Sequence, residues 1–151
     1  MNTREIDLKL ADILKFKGAY AYDLVPAKPS DDFSVIINTD DSAGPGDHWL
    51  VLTRKDGKLF LIDSYGRNYK DQSFDSNFKT WIVNYIGDEK VVCSRKWLQR
   101  LTSNVCGEYC VYFIRELNEK SFRSCFSVFD SDLAANDLFV LKYVDNINIK
   151  Q

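Results

Sequence analysis

Two β-rich apolar runs flank an Asp56-Gly57 pair, and that arrangement constrains this chain more than any other feature in it. Trp49, Leu50, Val51, Leu52 and Thr53 form the first run; Leu59, Phe60, Leu61, Ile62 and Asp63 form the second. Lys55-Asp56-Gly57-Lys58 between them carries the Asp-Gly signal of a tight turn, so the segment predicts an antiparallel hairpin. His48 lies nine residues before Gly57 and Asp63 seven after Asp56, so both sit at the open end of that hairpin. His48 is the single histidine of the chain, and imidazole chemistry has one supplier.

The rest of the chain reads as helices around further strands. Thr3 is a plausible N-cap, and Ile6, Leu10, Ile13 and Leu14 recur at helical spacing. Residues 15–18 end that helix, and residues 19–33, with Pro26 and Pro29, read as an irregular extended connection. Residues 33–38 are a short strand, and residues 40–47, with Gly44-Pro45-Gly46, are a loop that delivers the chain to His48. Phe78, Trp81, Ile82, Tyr85 and Ile86 mark a helix within 74–86, and residues 90–94 another strand. Cys106, Tyr109, Cys110, Phe113, Ile114 and Leu117 share a helix face. A last helix starts near Ser131 and carries Leu133, Leu138, Leu141 and Val144. The order predicts an α+β domain with a mixed or antiparallel sheet flanked by helices. With 151 residues, it fits one domain spanning 1–151.

Charge narrows the partners. The formal net charge of −2 argues against a dedicated nucleic-acid binder, whose affinity comes from phosphate neutralisation. Arg95, Lys96 and Arg100 cluster locally and read as a solvated face. No apolar stretch is long enough to span a bilayer, and the charged start of the chain lacks a signal-peptide pattern. The four cysteines, 93, 106, 110 and 125, have no disulfide-framework spacing, which fits free thiols in a reducing compartment. Without a Cys-x-x-Cys pair or a second histidine, no metal site is expected.

Those thiols and the hairpin end supply a chemical constellation. Cys106 opens its helix, where the positive end of the macrodipole favours a thiolate. Cys110, one turn deeper, reads as a core thiol. His48 would form the cationic half of an ion pair with Cys106 and then protonate a leaving amine. Asp63 would accept from the other ring nitrogen. Backbone N–H groups near Cys106 and the Gln99 side-chain amide are natural donors to an oxyanion. Gly107 lets a substrate backbone approach closely. Trp49 reads as a packing residue or, with Gly107, as part of the substrate-binding surface. Each residue also has a bland reading: His48 as structural, Cys106 as core, Asp63 as a turn opener, Gln99 as surface. The joint pattern favours chemistry.

These residues resemble the adenovirus protease (adenain) family, within the clan that includes the Ulp/SENP ubiquitin-like-protein proteases. The resemblance rests on Asp47-His48-Trp49-Leu50, on Leu61-Ile62-Asp63-Ser64-Tyr65-Gly66, and on Gln99 followed after six intervening residues by Cys106-Gly107-Glu108-Tyr109-Cys110. Ile36-Ile37-Asn38-Thr39 before the loop adds to it, and the likeness runs in order over residues 3–145. It implies catalytic His48, Asp63 and Cys106, with Gln99 in the oxyanion hole. It also implies a cysteine endopeptidase of a virus, virophage or related element that processes capsid or core precursor proteins. Such an enzyme would work as a cofactor-free monomer in the virion or at the assembly site in host cytoplasm or nucleus.

The chain departs from adenain in having Asp63 where that family has Glu, and in being some fifty residues shorter. Adenain is activated by a disulfide-linked peptide and by DNA. No cysteine aligns cleanly with the linking one, Cys93 being nearby but offset, and the acidic balance argues against DNA. An isopeptidase acting on ubiquitin or ubiquitin-like proteins is the alternative enzyme. A catalytically inactive interaction module is the alternative outside catalysis.

Overall fold

The computed structural model describes residues 1–147. The hairpin is its centre. Strands β3 (Trp49–Lys55) and β4 (Lys58–Ile62) pair antiparallel with Lys55 opposite Lys58. Asp56 and Gly57 take φ of 52° and 77°, the left-handed pair that a two-residue turn of this twist requires. Asp32 holds the turn by accepting from both the Asp56 and Gly57 N–H groups. Continuing the register beyond Val51 opposite Ile62 sets His48 across from Tyr65 and diagonal to Asp63. Diagonal neighbours share a sheet face and lie within side-chain reach.

Strands β1 (Phe16–Ala21), β2 (Phe33–Asn38) and β5 (Val91–Cys93) complete a five-stranded sheet in the order β1-β2-β3-β4-β5. The two inner pairings are antiparallel, and the outer ones, β1 with β2 and β4 with β5, are parallel. The fold is therefore a mixed sheet with helices, as the element order predicts.

Strict alternation along the strands separates two cores. Phe33, Val35, Ile37, Leu50, Leu52, Leu59 and Leu61 face helix α2 (Ser76–Ile86), which contributes Phe78, Ile82 and Ile86. Ile36, Val51 and Ile62 face the second layer, built from α1 (Thr3–Lys9), α3 (Cys106–Leu117), the short α4 (Phe122–Cys125) and α5 (Leu133–Asp145). Nine of the twelve α3 residues are buried, so α3 is a central helix rather than an amphipathic surface one.

Three expectations need correction. The first helix is capped by Asn2 rather than Thr3, and it stops at Lys9, leaving Leu14 at 96% exposure. The chain must reverse there, because 16–21, read as the end of that helix and the start of an irregular connection, is the edge strand β1. Its bulge between Phe16 and Ala19, with Gly18 at φ 114°, hides the alternation that would mark a strand. The Asp7 carboxylate accepts from Ala19 N–H and pins that bulge to α1. Finally, α5 turns Leu138 and Leu141 to solvent and buries Asn136 and Asp137. Hydrogen bonding overrides hydropathy there: Asn136 donates to the Leu98 and Asp130 carbonyls, and Asp137 accepts from the Tyr109 hydroxyl.

Candidate active site

The hairpin end brings His48 and Asp63 together as counted. His48 Nε2 lies 2.8 Å from Asp63 Oδ1, with His48 5% and Asp63 0% exposed. Asp63 is held on every side. Tyr65 N–H donates to the same Oδ1 at 3.0 Å, and Arg67 Nε donates to Oδ2 at 2.7 Å. Burial pushes the Asp63 carboxyl up, but the hydrogen bond and charge of His48, then Arg67, hold it below the usual carboxylate range. Arg67 is itself braced, 4.0 Å over the Phe74 ring and 5.3 Å over Tyr65. The Tyr65 ring stacks on the imidazole at 4.9 Å between centroids and 19° between planes. The sequence reading missed Arg67 and Tyr65. Their signal was there: a Tyr two residues and an Arg four residues after an acid at a strand end.

The first turn of α3 brings Cys106 to the same imidazole. The imidazole and the Trp49 backbone N–H both act on the Cys106 thiol and favour its ionised form. With Nε2 committed to Asp63, Nδ1 is the ring atom left for the sulfur. Burial raises the Cys106 thiol, but His48, through its hydrogen bond and charge, and the Trp49 N–H bring it below the ordinary thiol value. Burial likewise lowers the His48 imidazole, and the bonds to Asp63 and then Cys106 overcome this and lift it to about 9. The two shifts run in the directions that a thiolate–imidazolium pair requires. The other three thiols move the opposite way: burial raises Cys93, lifts Cys125 to about 11 and drives Cys110 well above the usual range. Helix α3 has the apolar Val105 at its N-cap, so no side chain there competes for the first-turn amides. Glu108, in that same turn, has Oε2 buried without a partner, and burial raises its carboxyl.

Gln99 is fully buried between these elements. Its Oε1 accepts from Ser64 Oγ at 2.6 Å, and its Nε2 donates to the Ser103 carbonyl at 3.0 Å and Oγ at 3.2 Å. The amide thus ties the residue after Asp63 to the loop that leads into Cys106. The Leu98 and Gln99 N–H groups both reach the Ser64 carbonyl, which fixes this segment against the end of β4.

A cavity of about 670 Å³ opens beside Cys106, walled by Trp49, Ala21, Gly46 and Asn104 among others. Gly107, expected to give a substrate backbone room, does not line this cavity: it is buried, and an added Cβ would meet Met1 Cβ at 3.1 Å and Trp49 Cδ1 at 3.5 Å. The Trp49 indole N–H donates to the Met1 carbonyl at 2.9 Å. Trp49 is therefore both a packing residue and a wall of the cavity. Among the described residues no group of His, Cys, Asp and Glu is arranged to hold a metal ion, and no helix is long and apolar enough to cross a membrane.

No protein-family model and no curated protein sequence matches this chain. Among solved structures it superposes on the crystal structure of the selenomethionine form of the ASFV pS273R protease, with a TM-score of 0.54 and 18% identity. The superposition covers 93% of this chain and 66% of that one. At that identity the likeness is one of fold: the mixed sheet and its helices form an architecture that a known protease also uses.

Proposed function

We propose that this chain is a virus-encoded cysteine endopeptidase, with His48, Asp63 and Cys106 as its triad, that cuts capsid or core precursor proteins during virion maturation. The observation that carries the reading is a buried imidazole bonded at 2.8 Å to a buried carboxylate, with the thiol at the start of α3 lowered by that same imidazole. The fold shared with the ASFV pS273R protease supports it.

The chemistry follows from the charges. The Cys106 thiolate attacks the scissile carbonyl carbon, and the C=O pair moves to oxygen, where first-turn N–H groups of α3 are nearest. The C–N bond then breaks as the His48 Nδ1 proton passes to the departing nitrogen. A thioester remains on Cys106. Neutral His48 then takes a proton from water, whose oxygen displaces sulfur and releases the acid. Asp63 holds the ring in one orientation throughout and stabilises its charged form. The acyl portion occupies the cavity walled by Trp49. The enzyme acts as a monomer at the viral assembly site and in the virion, without DNA activation.

Co-expression with candidate capsid proteins, compared with a Cys106→Ala variant by intact mass, tests this. Cys106-dependent cleavage and iodoacetamide labelling at Cys106 are the expected results. Cleavage that survives Cys106→Ala and is lost in Cys110→Ala overturns the assignment. Labelling by ubiquitin or SUMO vinyl-sulfone probes, with no precursor cleavage, would assign the isopeptidase activity instead.

A further inference from the structure

Trp97 is 52% exposed yet held in one orientation, a combination that costs surface energy and confers no core packing. Its indole N–H donates to the Gln99 carbonyl at 2.7 Å. Its backbone crosses Gly66 so closely that a Cβ at Gly66 would meet Trp97 N at 2.9 Å. The flanking Leu98 and Gln99 amides are anchored to Ser64. The Tyr65 ring meets Trp97 edge-on at 6.4 Å, and the same Tyr65 ring stacks on His48. Trp97 is thus two ring contacts from the imidazole, at most about three residues of extended chain at roughly 3.3 Å each.

The peptidase reading gives that surface a direction. The group that protonates the departing amine must stand on the leaving-group side of the thiolate. Tyr65 and Trp97 continue the surface from that imidazole, whereas the walls of the cavity beside Cys106 include none of His48, Tyr65 and Trp97. From this geometry we infer that Tyr65 and Trp97 form a specificity subsite for an apolar side chain in the first two substrate residues after the cut. This rests on the peptidase reading. A rigid aromatic face binds such a side chain with little ordering cost. One apolar side chain covered this way is worth roughly 10–200-fold in discrimination.

The test compares wild type, Trp97→Ala and Trp97→Tyr on peptides with a common acyl half and Phe, Leu, Ser or Asp in the two positions after the cut. A methyl ester of the same acyl half carries no leaving-group residues. Wild type should favour Phe and Leu over Ser and Asp by about tenfold or more in kcat/KM. Trp97→Ala should narrow that preference to about twofold, with a much smaller change on the methyl ester, and Trp97→Tyr should restore most of the preference. An undiminished preference in Trp97→Ala overturns the inference. So does an equal loss on peptides and ester, since that marks a purely structural role. A wild type that shows no Cys106-dependent turnover of the ester overturns the peptidase reading itself, a result distinct from either.

Discussion

His48 Nε2 and Asp63 Oδ1 are 2.8 Å apart in a pocket closed to solvent, and this bond leaves Nδ1 as the ring atom that meets Cys106. The relationship makes the thiol's acidity depend on the imidazole. Burial alone would raise Cys106, as it does Cys110 one turn away. His48→Ala should therefore move the pH midpoint of Cys106 alkylation by iodoacetamide from below the ordinary thiol value to above it. Peptide turnover should fall on the order of 10³-fold or more. An unshifted midpoint would mean that the two side chains do not meet in solution.

The pH profile follows from the same pair. On the proposed mechanism, turnover needs Cys106 ionised and His48 protonated. The acid limb reports Cys106 and should lie below the usual thiol range; the alkaline limb reports His48 and should fall near pH 9. Asp63→Asn removes the carboxylate that raises His48 and leaves burial to lower it. The alkaline limb of kcat/KM should move down in pH, and kcat should drop roughly 10²–10⁴-fold. A variant with an unmoved alkaline limb would show that Asp63 does not set the imidazole's charge.

Arg67 is a positioning residue that acts through Asp63. Among the described residues it supplies the only side-chain bond to Oδ2, at 2.7 Å, while its guanidinium lies on Phe74 and its Nη1 donates to Ser73 Oγ. Arg67→Met leaves that buried oxygen unpaired, a cost of about 1–3 kcal/mol, or a fall in Tm of roughly 2–12 °C for a domain of this size. Arg67→Lys keeps the charge but cannot bond Asp63, reach Ser73 and stack at once. It should recover part of the Tm and of kcat, with KM little changed in either variant. Wild-type kcat in Arg67→Met would show that Asp63 holds His48 without help.

What was legible in the chain follows from how local each cause is. An Asp-Gly turn and two apolar runs determine a register by counting, and the register brings His48 to Asp63. Cys106 was legible because a helix start is a local event. Strand β1 was not, because its bulge breaks the period, and its pairing with β2 crosses a long connection. The outward Leu138 and Leu141 were misread because Asn136 and Asp137 are drawn inward by carbonyl and hydroxyl partners far away in sequence. Trp97 has no local sign: its importance lies in a ring contact with Tyr65 that the fold alone creates.

Gln99 is where sequence and geometry ask for the sharpest experiment. The sequence reading makes its amide an oxyanion donor, and the structure ties that amide to Ser103 through both the carbonyl and Oγ. An amide nitrogen carries two N–H groups. The Ser103 carbonyl can take one, so Ser103→Ala, which removes Oγ as acceptor from Gln99 along with its donation to the Arg100 carbonyl, frees the second for a substrate oxygen. If Gln99 serves the oxyanion, Ser103→Ala should keep or raise kcat, while Gln99→Ala lowers it by about 10²–10³-fold. If Gln99 is only a strut between Ser64 and the loop before Cys106, both variants should lose stability by about 1–3 kcal/mol. The kcat of the folded fraction should then stay near wild type. Steady-state kinetics with melting curves on the two variants separates these outcomes, because a strut and a donor predict opposite orders of kcat and Tm loss.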